Sequence, residues 1–300
     1  MSKPNDYEQR AIREIHTWKN PEIGWFGQAM KVINWPLEKA GDLVFATPGL
    51  GDAIRATVSG LTAVCNDVAQ WSVQPEAIYA EFRQFGHFDI RSSADIHQLP
   101  LEKIDRVVGW LDAKYKGLAL AEGAAAGALG LPAIAPDVVA LITLNLRAIG
   151  EYATYYGFDV SRQEERLFAL NVLGLASSPS DSAKGLAMAQ LVRIAQDVAK
   201  KRAWTQLEQH AFVQLMKQIS TALGIRLTKA KLAQAIPIAG GAIGGGFNAY
   251  FTAKVCDAAY FLYRERFLAS RYGADVIEVT VKPAEDFDPD YPEEHENTPQ

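Results

Sequence analysis

The sequence predicts an all-α fold, a multi-helix bundle with Gly/Pro-interrupted apolar helical hairpins, on three observations. Apolar residues recur at three- and four-residue spacing in segment after segment. Strand patterns nowhere alternate with helical ones. Three longer stretches share a composition in which glycine and proline break an apolar run just ahead of a longer helical pattern. At 300 residues, 49% apolar and 22% charged, the chain has material for one large or two small globular domains with a sizeable core.

The elements follow in order. Residues 5–20 open with Asn5 placed as a helix cap, and Tyr7, Ala11, Ile15 and Trp18 recur on one face until Pro21 stops the run. The stretch "LEKAGDLVFATPGLGDAIRATVSGL" (37–61) is the first interrupted segment. Leu101, Ile104, Val108, Leu111 and Tyr115 mark a second amphipathic helix. The second interrupted segment is "AEGAAAGALGLPAIAPDVVALITLNLRAIGEYATYYG" (121–157). Leu207, Ala211, Leu215, Ile219 and Leu223 mark another helix, with Gly224 placed as its C-cap. The third interrupted segment is "KLAQAIPIAGGAIGGGFNAYFTAKVCDAAYFLYRERF" (231–267). Placing Pro132 over Pro237 brings Tyr155 and Tyr156 over Tyr260 and Phe261, a compositional sign of internal duplication.

Residues 1–273 form the helical domain in this reading, and 274–300 a disordered acidic tail. From Asp275 to Gln300 nine Asp or Glu stand against one Lys, a local balance of −8 within the chain's −5, so the body carries about +3. Such a Pro-rich, charged segment buries too little apolar surface to offset its ordering entropy. Just inside it, "DVIEVTV" (275–281) alternates at period two and could form one strand, with nothing to pair with. The N-terminus has charges throughout and no apolar core of a signal peptide, so neither secretion nor a leading anchor is expected. Cys65 and Cys256 lack CxxC spacing and sit in apolar surroundings, which suits buried thiols in a reducing compartment. The expected location is cytoplasmic.

The glycines of "IPIAGGAIGGGFNAYF" (236–251) pose the functional question. Gly244, Gly246 and Ala249 spell G-x-G-x-x-A, but a dinucleotide fingerprint needs a strand before it and a βαβ unit around it, and no Walker G-K-[ST] exists. No cofactor is expected. From Leu232 to Ala253 the chain has 22 residues without a formal charge, flanked by Lys231 and Lys254. That length prompts a membrane reading, yet Pro237, Gln234, Asn248 and the glycines make it a poor crossing, and Asp137 breaks the second segment at a cost of roughly 3 kcal/mol in mid-bilayer. Shallow insertion of a hairpin stays open. So does tight helix packing, because Gly123 and Gly127, like Gly240 and Gly244, are spaced four apart on one helical face.

Polar residues inside these apolar blocks are the candidate site. Glu122, Asp137, Arg147 and Asn248 could form one buried cluster that receives a head group or polar ligand. The plainer readings are that Asp137 caps its helix and that Arg147 pairs with Glu151 four residues on. Catalytic constellations are scarce: His16, His87, His97, His210 and His295 lie apart with no HExxH, so no metal site is expected, and no G-x-S-x-G elbow occurs. The serines of "ASSPSDSAKG" (176–185) suit a connector. Nucleic acid is not expected, since Lys200–Lys201–Arg202 and Arg264, Arg266 and Arg271 fall at expected helix ends, where the dipole accounts for them, or face anionic lipid.

The run "EGAAAGALGLPAIAPDVVALITLNLRAIGEYATYYGFD", then "EER", then "KLAQAIPIAGGAIGGGFNAYFTAKVCDAAYFLYRERFL", resembles the two signature blocks of the EcsC family of bacterial proteins. The shared pattern is a glycine-spaced helix, a Leu-Pro break, an acidic residue opening an apolar helix, a Leu-Arg pair and Tyr-Gly-Phe-Asp, and the likeness spans residues 7 to 272. The family takes its name from a gene in an operon with ABC-transporter components. That resemblance implies a helical fold and membrane proximity, but no agreed reaction. The expectation is a non-enzymatic, membrane-proximal protein, peripheral on the inner face of the cell membrane, whose partners are lipid or ABC-transporter components. The alternative is an enzyme on an apolar or lipid-like substrate, with the Glu/Asp/Arg cluster as its polar handle.

Overall fold

In the computed structural model the described residues are 3–19, 50–66, 71–127, 134–176, 244–273 and, between 220 and 231, residues 220, 221, 223–225, 227, 228 and 231. They contain the helices α1 (Asp6–Lys19), α2 (Leu50–Asn66), α3 (Pro75–Gln84), α4 (Ser93–Ile96), α5 (Leu101–Val108), α6 (Leu111–Gly127), α7 (Ile134–Tyr155), α8 (Gln163–Ala176) and α9 (Gly244–Tyr272). Among the described residues there is no strand, so the fold is all-α as the sequence predicts. Residues 275–281 and the acidic tail lie outside the described residues, as do Pro21, Pro132, Pro237 and the 176–185 stretch beyond Ala176.

Local chemistry explains several of these starts and stops. Asn5 caps α1 reciprocally: its side-chain oxygen accepts the Glu8 N–H at 2.9 Å, and the Glu8 carboxylate accepts the Asn5 N–H at 2.9 Å. Ala11 and Ile15 then face the core. The single helix expected through residues 101–115 is two. All five of its marker residues are buried, but the chain turns at Gly109 and Trp110, both exposed. Glycine is about 1 kcal/mol worse than alanine inside a helix, and here it has no side chain to bury. Gly224 corrects the C-cap expectation, because Leu223 and Ile225 on either side of it are helical, as are Leu227 and Thr228 beyond. Its missing Cβ admits Val58 of α2, whose Cγ2 lies 2.8 Å from where that atom would stand.

α7 and α9 form the centre. Asp137 meets Asn248, Asn145 meets Thr252, and Tyr156 meets Tyr260, in the same order along both helices, so the two run parallel. α6 runs antiparallel to both. Lys114 near its start bonds Glu151 late in α7, and Gly123 near its end packs on Asn248 early in α9. α9 packs most extensively on α6 and also touches α1, α7 and α8, while α2, α3 and α5 close around α7.

The Tyr-Gly-Phe-Asp motif ends α7. Gly157, at φ +83, donates its N–H to Thr154 O at 3.0 Å, and Phe158 N–H reaches Ala153 O at 2.8 Å, the paired bonds of a Schellman motif. A Cβ on Gly157 would stand 2.8 Å from Ser93 O. The flanking aromatics meet the Arg-Glu-Arg run of α9. Those three consecutive charges are all buried, at 2%, 6% and 5% exposure. Arg264 bonds Asp105 at 2.8 Å and Glu14 at 2.7 Å, Glu265 pairs with Lys19, and Arg266 grips Glu165 through two bonds of 2.6 and 2.7 Å. Arg266 is also clamped between the rings of Phe158 and Phe168, 4.1 and 4.2 Å from their centroids. Asp105 accepts further bonds from Tyr156 and Tyr7, and burial still holds its carboxyl above the usual range. The expectation that Arg264 and Arg266 answer the helix dipole or face lipid is thereby corrected: carboxylates hold both in the core. Arg271 donates to His97 O and Leu99 O, at 2.7 and 2.9 Å, and pairs with Glu8.

Candidate functional site

A second polar group lies at the opposite end of α9, where α6 ends and α7 and α9 begin. Asp137, in the first turn of α7, is 8% exposed. Because the helix already starts at Ile134, Asp137 is not its cap; its charge complements the dipole from inside the first turn. Lys231 Nζ bonds one of its oxygens at 2.6 Å, and Asn248 Nδ2 donates to the other at 3.3 Å. Lys231 also lies 5.4 Å from the Phe247 ring centroid. Glycine makes the approach possible: a Cβ on Gly123 would stand 2.9 Å from the Asn248 amide nitrogen. One residue earlier is Glu122, half-buried, whose carboxyl is pushed up by burial and by the Asp137 charge, with Lys231 pulling the other way.

The structure thus brings together Glu122, Gly123, Asp137 and Asn248, and adds Lys231. Arg147 does not join them. It lies ten residues along α7 from Asp137, about 15 Å of helix at 1.5 Å per residue, and bonds Glu151 at 3.2 Å. That is the i, i+4 pair offered as its plainer reading, and Glu151 takes Lys114 at 2.7 Å as well. Lys231 is the cation that sequence reasoning missed. It was legible only as the edge of an uncharged stretch, since nothing local ties it to an aspartate far away in sequence. Of the paired glycines, Gly127 closes α6, Gly244 opens α9 and Gly240 lies outside the described residues.

Two acceptors of this group lack donors, as do single polar atoms elsewhere in the interior such as Asn145 Oδ1 and the Tyr263 hydroxyl. Glu122 Oε2 and Asn248 Oδ1 are both buried acceptors with no hydrogen-bond partner, and Asn248 is wholly buried. With Glu122 ionised, two carboxylates face one ammonium.

The outer surface of α6 runs past this group. Every exposed residue on the described part of the helix is apolar: Ala113, Gly117, Leu118, Leu120, Ala121 and Ala124. Trp110, 41% exposed, extends the stripe by one turn. Helices on a protein surface ordinarily turn polar residues outward; on α6 the partly exposed Asp112 and Lys116 pair with each other, and the positions that are fully exposed are apolar. The sequence shows a mostly apolar 111–127 with Asp112, Lys114, Lys116 and Glu122 spread through it, a pattern that does not reveal which face is outward until its neighbours are placed.

Among the described residues no group of His, Cys, Asp and Glu is arranged to hold a metal ion, and no helix is long and apolar enough to cross a membrane. Cys256 is a free, buried thiol that burial pushes up. His97 is stacked on Phe267 and edge-on to Phe158, and burial holds its imidazole below the usual range.

The model of the EcsC protein family matches residues 9–268. The chain is similar to an uncharacterised protein, YdbA, of Bacillus subtilis (strain 168), at 26% identity over 274 residues, 87% of this chain and 92% of that one. It is also similar to the protein EcsC of the same organism, at 27% identity over 161 residues, 53% of this chain and 61% of that one. No solved structure matches it significantly.

Proposed function

The chain belongs to the EcsC family, and we propose that it is a non-enzymatic protein that attaches peripherally to a membrane through α6, on the inner face of the cell membrane, in the company of an ABC-type export system. The apolar outer stripe of α6 is the observation that carries this reading. Leu118 and Leu120 are 45% and 52% exposed, and with Trp110 they account for three of the five large exposed apolar side chains among the described residues. A helix lying in the plane of the interface buries such a face between headgroups and acyl chains, and each apolar side chain adds to binding in proportion to its area. Trp110 at one end, with Lys114 against its ring, is the kind of amphipathic anchor that favours the headgroup level.

Flotation of the purified chain with liposomes tests it. Leu118→Asp with Leu120→Asp should abolish flotation and leave thermal melting unchanged, because both residues already face outward. Equal flotation of this variant would remove α6 as the contact. A second reading, an enzyme acting on an apolar or lipid-like substrate, rests on the polar group at Glu122 and Asp137. It is weakened by the engagement of Arg147 with Glu151, and chemical change in the recovered lipid would be its sign.

A further inference from the structure

We propose that the group formed by Glu122, Asp137 and Asn248 is a recognition site for a primary ammonium, the N–H-bearing head of an ethanolamine-type lipid. The inference rests on the membrane reading of α6, and it follows from counting donors. Asp137 is served on both oxygens, by Lys231 and Asn248. Glu122 Oε2 and Asn248 Oδ1 are buried acceptors with no donor. The group holds two carboxylates against one lysine ammonium. What is missing is a donor with a positive charge. An R–NH3+ group supplies three N–H donors and one charge on a single small atom. A quaternary ammonium carries the charge with no N–H and would leave both acceptors unserved. A phosphate or carboxylate would add acceptors beside Glu122 and is disfavoured on both counts.

Position supports the lipid source. Glu122 lies one turn after the exposed Leu118 on the same side of α6, at the edge of the stripe assigned to the bilayer. A helix seated at the headgroup boundary holds Glu122 at the depth of headgroup amines. Gly123 has the matching role inside, since a Cβ there would stand 2.9 Å from the Asn248 amide nitrogen and 3.0 Å from its Cγ and so press on that amide.

The full-length chain is floated with phosphatidylcholine vesicles, with and without phosphatidylethanolamine, and with its mono- and dimethylated derivatives. Binding should strengthen on the order of tenfold with the primary amine, the worth of one or two charge-assisted hydrogen bonds, and fall stepwise as N–H groups are lost. Glu122→Gln should lose the preference, so that its flotation no longer distinguishes the primary amine from its methylated derivatives. Thermal melting with O-phosphoethanolamine, against phosphocholine, separates the sources in the wild-type chain. Flotation without any amine preference, and no stabilisation by the soluble amine, would overturn the site and leave Glu122 simply holding a proton. Stabilisation by the soluble amine with no flotation on any vesicle would instead overturn the membrane reading and the lipid as source.

Discussion

The two ends of α9 bury polar groups in opposite ways. Toward its C-terminus Arg264, Glu265 and Arg266 point to different neighbours, and each finds a carboxylate or ammonium already in place. At its N-terminus Asn248 bonds Asp137 with its nitrogen and leaves its oxygen, like Glu122 Oε2, unserved. The same helix, in the same core, thus carries one end whose charges are all paired, though the Tyr263 hydroxyl beside them has no partner, and one end whose charged group keeps unserved acceptors. A closed network of buried charges fixes how helices fit, because any displacement strands a charge. An open one retains bonding capacity that the fold itself does not use, and that is why the open end, rather than the more heavily charged end, is the candidate site.

The largest effect should come from breaking the closed end. Arg266→Met leaves Glu165 buried without its two bonds, and loss of one partner of a buried pair costs about 3–5 kcal/mol. Urea unfolding should show that shift, and the double variant with Glu165→Leu should recover most of it. A single variant as stable as the parent would mean that water enters this end and that the network is not closed.

Glycines give the next contrast. Gly157→Ala forces a left-handed conformation on a residue with a Cβ and drives that atom toward the Ser93 carbonyl, a backbone atom that cannot swing away. A cost of about 2–3 kcal/mol is expected. Gly123→Ala meets the whole Asn248 side chain, 2.9 Å from its amide nitrogen, 3.0 Å from Cγ and 3.1 Å from Cβ, but no backbone atom, and should cost about 1–2 kcal/mol. Calorimetric midpoints in that order support the comparison. The reverse order would show that the open end is the more rigid one.

The ends also differ in the sign of their pH response. His97 at the closed end has its folded pKa below the unfolded value through burial, so its contribution is present above about 6.5 and is lost as pH falls toward the folded value. Glu122 at the open end has its folded pKa raised, so its contribution is complete below about 4.3 and is lost as pH rises through the folded value. Melting followed from pH 4 to 8 should therefore respond to the two variants on opposite limbs, with His97→Phe flattening the acid loss and Glu122→Gln the loss on the neutral side. The same limb for both would contradict one of the two burial assignments.

How much of this was legible in the sequence follows the same division. The all-α class, the Asn5 cap, the buried face of 101–115 and the Arg147–Glu151 pair depend on residues three or four apart, and local periodicity carries them. Asp105 with Arg264, Glu165 with Arg266 and Asp137 with Lys231 join helices far apart in sequence, so the arginines looked like ordinary helix-end charges and Lys231 like a flank. Glu122, Asp137 and Asn248 were legible as polar residues stranded in apolar blocks, and Arg147 was wrongly joined to them because one-dimensional proximity ignores 15 Å of helix between it and Asp137. The outward apolar face of α6 was not legible from the sequence, since a mostly apolar segment describes a buried helix equally well.

The smallest effect is the sharpest test, because it applies one substitution to both ends. Glu165→Gln replaces a carboxylate that takes two bonds from Arg266, and the amide can accept only one of them while its nitrogen confronts a guanidinium. A loss of several kcal/mol is expected. Glu122→Gln replaces a carboxylate whose buried oxygen has no partner, removes the like-charge contact with Asp137, and keeps the shape. At neutral pH its unfolding free energy should therefore stay within about 1 kcal/mol of the parent, on the side of a gain, since a desolvated charge is costly unless paired. If instead the two glutamines destabilise equally, Glu122 has a donor in the folded chain, and the end of α9 taken as open is as closed as the other.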